Sequence, residues 1–371
     1  MVREFPVRMG GRTIGGGLAA LTLAWIAVPA VAKDAEEAPA LTREAVEGAT
    51  LAQAGDKGEA GKTEAPKGGA AKRTVPALIK AQVLLDRARF SPGAIDGRDG
   101  DNLRGALAAF AAANGLKSGG ALEADLADKL QATSADPVLT AYTLSDADVA
   151  GPFVDRIPPK MEDQADLDAL GYTSAREMLA ERFHMSPDLL SALNPGADFA
   201  KAGTVLQVAA VPPLDTSKPK TDAETKEKSA DAKDVTRIEV DKGSRNVLAF
   251  DKAGRLVAFY PASIGSEEKP APSGKAKVEG VAFVPTYTYN PKYEFAGVKA
   301  KTKFTIPPGP NNPVGIVWID LSIPSYGIHG TPEPEKVGKT ESHGCIRLTN
   351  WDARDLATHV ARGAEVVFKD E

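Results

Sequence analysis

The chain is predicted to be multidomain, with a small three-helix domain and a small α+β module preceding a mainly β domain that carries the chemistry. Three observations predict this. Two stretches poor in large apolar residues, 33–74 and 212–234, interrupt the chain. Between 75 and 135 apolar residues recur at helical spacing. From 235 to 371 that spacing gives way to short β-patterned runs separated by turn residues. The length of 371 residues suits two or three domains. A net charge of −5 argues against nucleic acid as a partner and offers no basic field for anionic lipid. Few aromatics beside 35 glycines and 27 prolines fit β-rich modules on loose linkers.

The first 32 residues have the composition of an export signal. Arg3, Arg8 and Arg12 precede an apolar run from Ile14 to Ala27, and Ala30-Val31-Ala32 is a small-x-small cleavage pattern. Cleavage there would leave no later run long and apolar enough to span a membrane and would place the protein in the periplasm or cell envelope. An uncleaved anchor is the alternative. Residues 33–74 are Ala, Glu, Lys and Gly with few large apolar residues, so they are expected to form a disordered linker. The same composition marks 212–234 as a second linker.

In 75–135, Leu78, Ala81 and Leu85 predict a first helix, and Leu103, Ala106, Leu107 and Phe110 a second. A third covers Leu122 to Leu130. Between the first two lies the turn-rich loop Phe90 to Gly97. Gly93, Ile95, Asp96 and Gly97, with Ala106 and Phe110, resemble the small three-helix peptidoglycan-binding domain, although Ala111 stands where that family often has Gln. A plain helical spacer is the alternative. In 138–211, the part from Tyr172 to Val208 resembles a divergent LysM carbohydrate-binding module. It has a helix through Met178–Phe183, a second starting at Ser186-Pro187 with Ser186 as N-cap, an end at Asn194-Pro195, and a closing strand at Gly203–Val208. His184 is expected to be a packing or surface residue.

In the third segment, Ile238–Asp241, Asn246–Phe250 and Leu256–Tyr260 are expected strands, the last two joined by a turn containing Asp251–Gly254. A rigid turn follows at Pro270–Gly274. Val281–Tyr289 and Gly315–Leu321 are further expected strands. A helix from Trp351 to Val360, with Asn350 as N-cap, and a strand at Glu365–Phe368 close the chain. Many short strands with one helix indicate a sandwich-like or barrel-like domain.

The chemistry concentrates in Ile328-His329-Gly330-Thr331 and Ser342-His343-Gly344-Cys345-Ile346-Arg347-Leu348. Cys345 is the only cysteine, so it forms no internal disulfide, although exported chains tend to pair their cysteines. A free thiol, with pKa about 8.5, is little ionised near neutrality and needs a base. His343 lies two residues away, on the same side of an extended segment. His329 can arrive from a neighbouring strand, and spacing alone leaves both open. A zinc site using His329, His343 and Cys345 is a rival, though no Cys-x-x-Cys or His-Glu-x-x-His spacing accompanies it.

The His-Gly-Thr element, the Ser-His-Gly-Cys-Ile-Arg-Leu run, the early strand pair and the Pro272-Ser273-Gly274 turn resemble the YkuD family of L,D-transpeptidases. The resemblance implies a YkuD-like β-sandwich, no metal and no cofactor. It implies Cys345 as nucleophile and His329 as proton donor and acceptor, its ring oriented by the Gly330 carbonyl. His343 would line or support the pocket. The N–H groups of Gly344 and Cys345 would form the oxyanion site. Arg347 projects on the side of Cys345 and suits a substrate carboxylate or a loop-positioning role. Ser342 would be a hydrogen-bonding support. His359 is expected to be incidental, and Trp318, Tyr289 and Tyr326 to be core or pocket wall.

The implied reaction is attack on the bond between the third residue and the terminal D-Ala of a peptidoglycan stem tetrapeptide, through a thioester acyl-enzyme that carbapenems can also form. The partners are then stem peptides and glycan, with an envelope protein as a further candidate acceptor. A non-catalytic peptidoglycan-binding scaffold and an L,D-carboxypeptidase are the alternatives.

Overall fold

The computed structural model describes residues 41–51, 74–219, 234–266, 269–293, 298, 300–342 and 344–369. The expected export segment 1–32, most of the 33–74 linker and residues 220–233 of the second linker lie outside the described residues. Those described belong to one packing unit, Leu41–Glu371. No described helix is long and apolar enough to cross a membrane.

The first linker needs correction where it is described. Helix α1 (Arg43–Glu47) forms within it, capped by Thr42, whose side chain accepts from the Ala45 N–H. Val46 and Leu51 are buried in a core shared by the helical domain and the α+β module. The Glu47 carboxylate accepts from the N–H groups of Val138 and Leu139, and Lys80 Nζ donates to the Glu47 and Ala49 carbonyls. A few apolar residues suffice here because a formed surface receives them. Composition, which measures the segment alone, misses that.

Helices α2 (Pro76–Arg87), α3 (Asp101–Ala113) and α4 (Ala124–Gln131) make the helical domain. Pro76 opens α2, where a missing N–H is harmless. Phe90 meets Phe110 edge-on at 5.4 Å. Gln82 accepts from the Asp96 and Gly97 N–H groups and donates to the Asp96 carboxylate, which folds the loop between α2 and α3 back on its own domain. The outer rim of that loop is spent on joining modules. The Ser91 N–H donates to the Phe259 carbonyl and the Phe259 N–H to the Arg89 carbonyl, both at 2.9 Å. The Ile95 N–H donates to His184 O at 2.8 Å, and Ser186 N–H donates to Ile95 O at 2.9 Å.

The α+β module pairs β1 (Leu139–Thr143) antiparallel with β2 (Val205–Ala209). Between them come two short helices outside the sequence expectation, α5 (Asp146–Ala150) and α6 (Met161–Gln164). The expected pair follows, α7 (Ala175–Arg182) and α8 (Pro187–Leu193). Ser186 caps α8 by accepting from the Leu189 N–H. Asn194 ends α8 and binds the Gln207 backbone through both its amide groups, so the same residue that stops the helix holds β2.

The C-terminal domain contributes β3 (Val235–Asp241), β4 (Asn246–Phe250), β5 (Leu256–Pro261), β6 (Ser263–Ile264), β7 (Gly274–Phe283), β8 (Tyr287–Tyr289), β9 (Phe304–Ile306), β10 (Val317–Leu321), β11 (Gly327–His329) and β12 (Ile346–Arg347). Helix α9 (Asn350–His359) and β13 (Val360–Lys369) complete it. Among the described residues a nine-stranded sheet runs β5-β4-β3-β13-β7-β10-β11-β12-β6. Strand β7 pairs with β13 at its start and with β10 at its end, so it links two half-sheets. Both halves close on one core, where Tyr326 meets Phe368 edge-on at 5.9 Å. The expected strand at 281–289 is two strands, and the first begins at Gly274, directly out of the proline turn. Pro270 and Pro272 end before that point, so no ladder N–H is lost.

Ile95 is fully buried at the meeting of the helical domain and α+β module. Ile95→Ala is expected to destabilise the protein by about 2–5 kcal/mol, read as a lower denaturant midpoint.

Candidate active site

Strand β11 lies between β10, antiparallel, and β12, parallel. Its register sets Ile328 opposite Ile346 and His329 opposite Arg347. Cys345 immediately precedes β12. His329 and Arg347, opposite each other in the ladder, project to one side while Ile328 and Ile346 enter the core, and Cys345 packs half-buried at the edge of that core. The thiol and the imidazole thus come from chain segments remote in sequence and adjacent in the sheet.

His329 is 6% exposed. Its Nδ1–H donates to the Gly330 carbonyl at 2.6 Å. That tautomer leaves Nε2 as the acceptor. The ring stacks on Trp318 at 5.7 Å between centroids, 15° from parallel. Burial, helped by the Arg347 charge and opposed by the Gly330 bond, pushes the imidazole pKa down to about 4. Cys345 Sγ lies 3.9 Å from the Ser325 carbonyl oxygen. Burial raises the thiol pKa, opposed by the Gly327 N–H and by Arg347. Burial thus favours the neutral form of both groups.

Ser342 closes the loop before the cysteine. Its hydroxyl donates to the Cys345 carbonyl at 2.5 Å and accepts from the Gly344 N–H at 3.2 Å. Of the two N–H groups expected at an oxyanion site, Gly344's is thus held by Ser342 in this state. Gly344 has φ of 124°, open to glycine. His343 lies outside the described residues. Arg347 is half-buried, and among the described residues its buried Nε has no hydrogen-bond partner. Burial lowers its pKa, against the charges of Glu333 and Cys345.

Burial, and then the charge of Cys345, raises the phenol pKa of both Tyr326 and Tyr287. Tyr289 instead stacks on Phe304 at 4.9 Å. His184 donates or accepts at Asp86, 3.0 Å away, and stacks on Trp351. His359 pairs with Asp355 at 3.3 Å. Neither belongs to the site.

Asn350 was expected to cap the last helix. Thr349 does so, accepting from the Asp352 N–H. Asn350 is fully buried, and its Oδ1 accepts from the Ile316 and Thr331 N–H groups, both at 3.1 Å. A Cβ on Gly315 or Gly330 would sit 1.9 or 2.1 Å from that oxygen, so both glycines make room for the amide. No local pattern marks this role, because its partners come from three separate segments.

His329, with its ring oriented by the Gly330 carbonyl, thus lies in a mainly β domain on a strand paired with the one that Cys345 immediately precedes. Residues 235–368 match the L,D-transpeptidase catalytic domain, YkuD. Over 130 residues the chain is 33% identical to the putative L,D-transpeptidase YkuD of Bacillus licheniformis, covering 35% of this chain and 63% of that one. Over 208 residues it is 30% identical to the probable L,D-transpeptidase YbiS of Escherichia coli K12, covering 54% and 62%. That alignment is longer than residues 235–368 alone. Over 131 residues it is 38% identical to the putative L,D-transpeptidase YqjB of Bacillus subtilis, covering 34% and 67%. The chain belongs to the YkuD L,D-transpeptidase family through this domain. It spans just under two thirds of the length of the first two relatives.

Because the imidazole pKa is depressed from 6.5 to about 4, reaction at Cys345 is expected to lose its base only as pH falls towards 4. In that window the unfolded chain binds the proton and the folded chain resists it, so His329 makes stability fall as pH drops from 6.5 towards 4. His329→Gln should lose less stability than the parent between pH 7 and about 5, measured by denaturant unfolding.

Proposed function

We propose that this chain is an exported L,D-transpeptidase that modifies peptidoglycan in the periplasm or cell envelope. The observation that supports this reading is the pairing of His329 with Arg347, two residues after Cys345, with His329 Nδ1 engaged by the Gly330 carbonyl, in a domain of this family. Cys345 Sγ attacks the carbonyl joining the third residue to the terminal D-Ala of a stem tetrapeptide. His329 Nε2 takes the thiol proton as the S–C bond forms. This suits a pair that is neutral at rest, since the charge is created only during attack. The C–N bond then breaks, and the imidazolium returns the proton to the leaving amine of D-Ala. An acceptor amine attacks the thioester, giving a new amide and restoring the thiol.

Arg347 is the group suited to a substrate carboxylate, since its buried Nε–H has no partner among the described residues. The Cys345 N–H is suited to the developing oxyanion, and Gly344's would join it once released from Ser342. His343 is assigned to pocket support.

Cys345→Ala is expected to abolish transfer and leave folding intact. In the parent, meropenem should add covalently to Cys345, read by intact mass. An unmodified mass with retained binding to sacculi would favour a scaffold. Incubation with tetrapeptide, with and without an acceptor amine, separates transfer from carboxypeptidation by the products formed.

A further inference from the structure

The buried carboxyl of Glu181 lies on α7, in the α+β module and outside the family domain. It is 5% exposed, and Asn350 Nδ2 donates to its Oε1 at 2.5 Å. The second Nδ2 hydrogen goes to the Pro310 carbonyl at 3.1 Å. With both donors committed to that side, Oδ1 must face the Ile316 and Thr331 N–H groups.

The Thr331 N–H and the Gly330 carbonyl belong to one peptide unit. One end of that plane donates to Asn350 and the other accepts from His329 Nδ1. A planar peptide cannot turn one end without the other. Rotation of the unit would break both bonds and release the imidazole. The path from Glu181 to the ring thus runs through three hydrogen bonds of 2.5, 3.1 and 2.6 Å and one rigid plane.

Neighbouring contacts show that the α+β module grips the same region. Asn311 Nδ2 donates to the Gly171 carbonyl and to Glu177, and the Leu170 N–H donates to Pro308 O. A Cβ on Gly309 would meet the Leu170 carbonyl oxygen at 2.1 Å. Burial also raises the Glu181 carboxyl pKa to about 8, with the Asn350 bond opposing it and the Glu177 charge adding to it. A carboxyl kept largely neutral near pH 7 still accepts through its carbonyl oxygen, which glutamine reproduces.

We propose that Glu181 is a positioning residue for the active site, reaching His329 through Asn350 and the Gly330–Thr331 peptide. This rests on His329 being the base, as proposed above.

The test uses the full chain and single-turnover acylation of Cys345 by meropenem, read per folded molecule. Glu181→Leu and Glu181→Ala should slow acylation about tenfold, because an orphaned buried donor frees the amide to reorient. Half-saturation should change less than about twofold, since no substrate contact is lost. Glu181→Gln should stay within about twofold of the parent. Glu181→Leu placed on Asn350→Ala should cost nothing further. Parental rates in Glu181→Leu, failure of Glu181→Gln to restore the rate, or full additivity with Asn350→Ala would overturn the proposal. If neither apolar variant folds, Asn350→Ala decides, and a parental rate there overturns it. If the parent itself is not acylated, the transpeptidase reading fails separately. The imidazole nitrogen shifts of His329, which need no substrate, then judge the positioning role: a change in Glu181→Leu supports it, and none refutes it.

Discussion

The parallel pairing of β11 with β12 is the constraint on which the site depends. It sets His329 opposite Arg347, two residues after Cys345, although the two segments are well apart in sequence. It also selects the face, since a slip of one residue would send His329 into the core and Ile328 to the face now held by His329 and Arg347. Both strands are short, Gly327–His329 and Ile346–Arg347. Few ladder bonds hold so little strand, and the register needs outside support. Part of it comes from β10 and β6 on either side. Another part is the Leu348 N–H, which donates to the His329 carbonyl at 2.8 Å just beyond the pair.

Burial shapes the electrostatics of the pair. A desolvated imidazole next to a guanidinium resists a proton, and a desolvated thiol resists losing one. The resting site therefore carries its fixed charge on Arg347 alone among these three groups. That charge disfavours imidazolium and favours thiolate. In the transfer proposed above the two effects would oppose each other, and the Gly330 carbonyl would stabilise the ring once it gains a second proton. The Gly327 N–H does the equivalent for sulfur. Both aids are backbone groups of one short strand and the residue after it.

Much of the catalytic domain was legible in the sequence, because strand alternation and the glycine-flanked His and Cys are local signals. Ser186 as a cap was legible for the same reason. Three things were not. Helix α1 depends on a surface supplied by α2, which a composition test cannot see. The first strand of the α+β module, Leu139–Thr143, lies far before the helices it packs with, across an excursion carrying α5 and α6. Asn350 satisfied every rule for an N-cap, yet Thr349 stands one residue earlier with the same competence. The choice went to the residue that left the longer amide free to reach Ile316 and Thr331.

Helix α9 explains why the flanking modules belong to the same packing unit as the sheet. Its first residue, Asn350, is held by Glu181 from the α+β module. The next, Trp351, stacks on His184 of that module at 5.1 Å, 8° from parallel. One turn on, the Asp355 carboxylate takes Arg89 Nε of the helical domain at 3.0 Å and the Tyr260 hydroxyl at 2.5 Å. A helix fastened at its start and along its length can neither slide nor rotate. It therefore presents the Asn350 amide at a fixed place beneath the His-Gly-Thr turn. A site on two- and three-residue strands has little rigidity of its own and takes it from the elements packed behind it. Helix α9 lies within the family domain, and it is held at Asn350, Trp351 and Asp355 by groups from outside that domain, namely Glu181, His184 and Arg89.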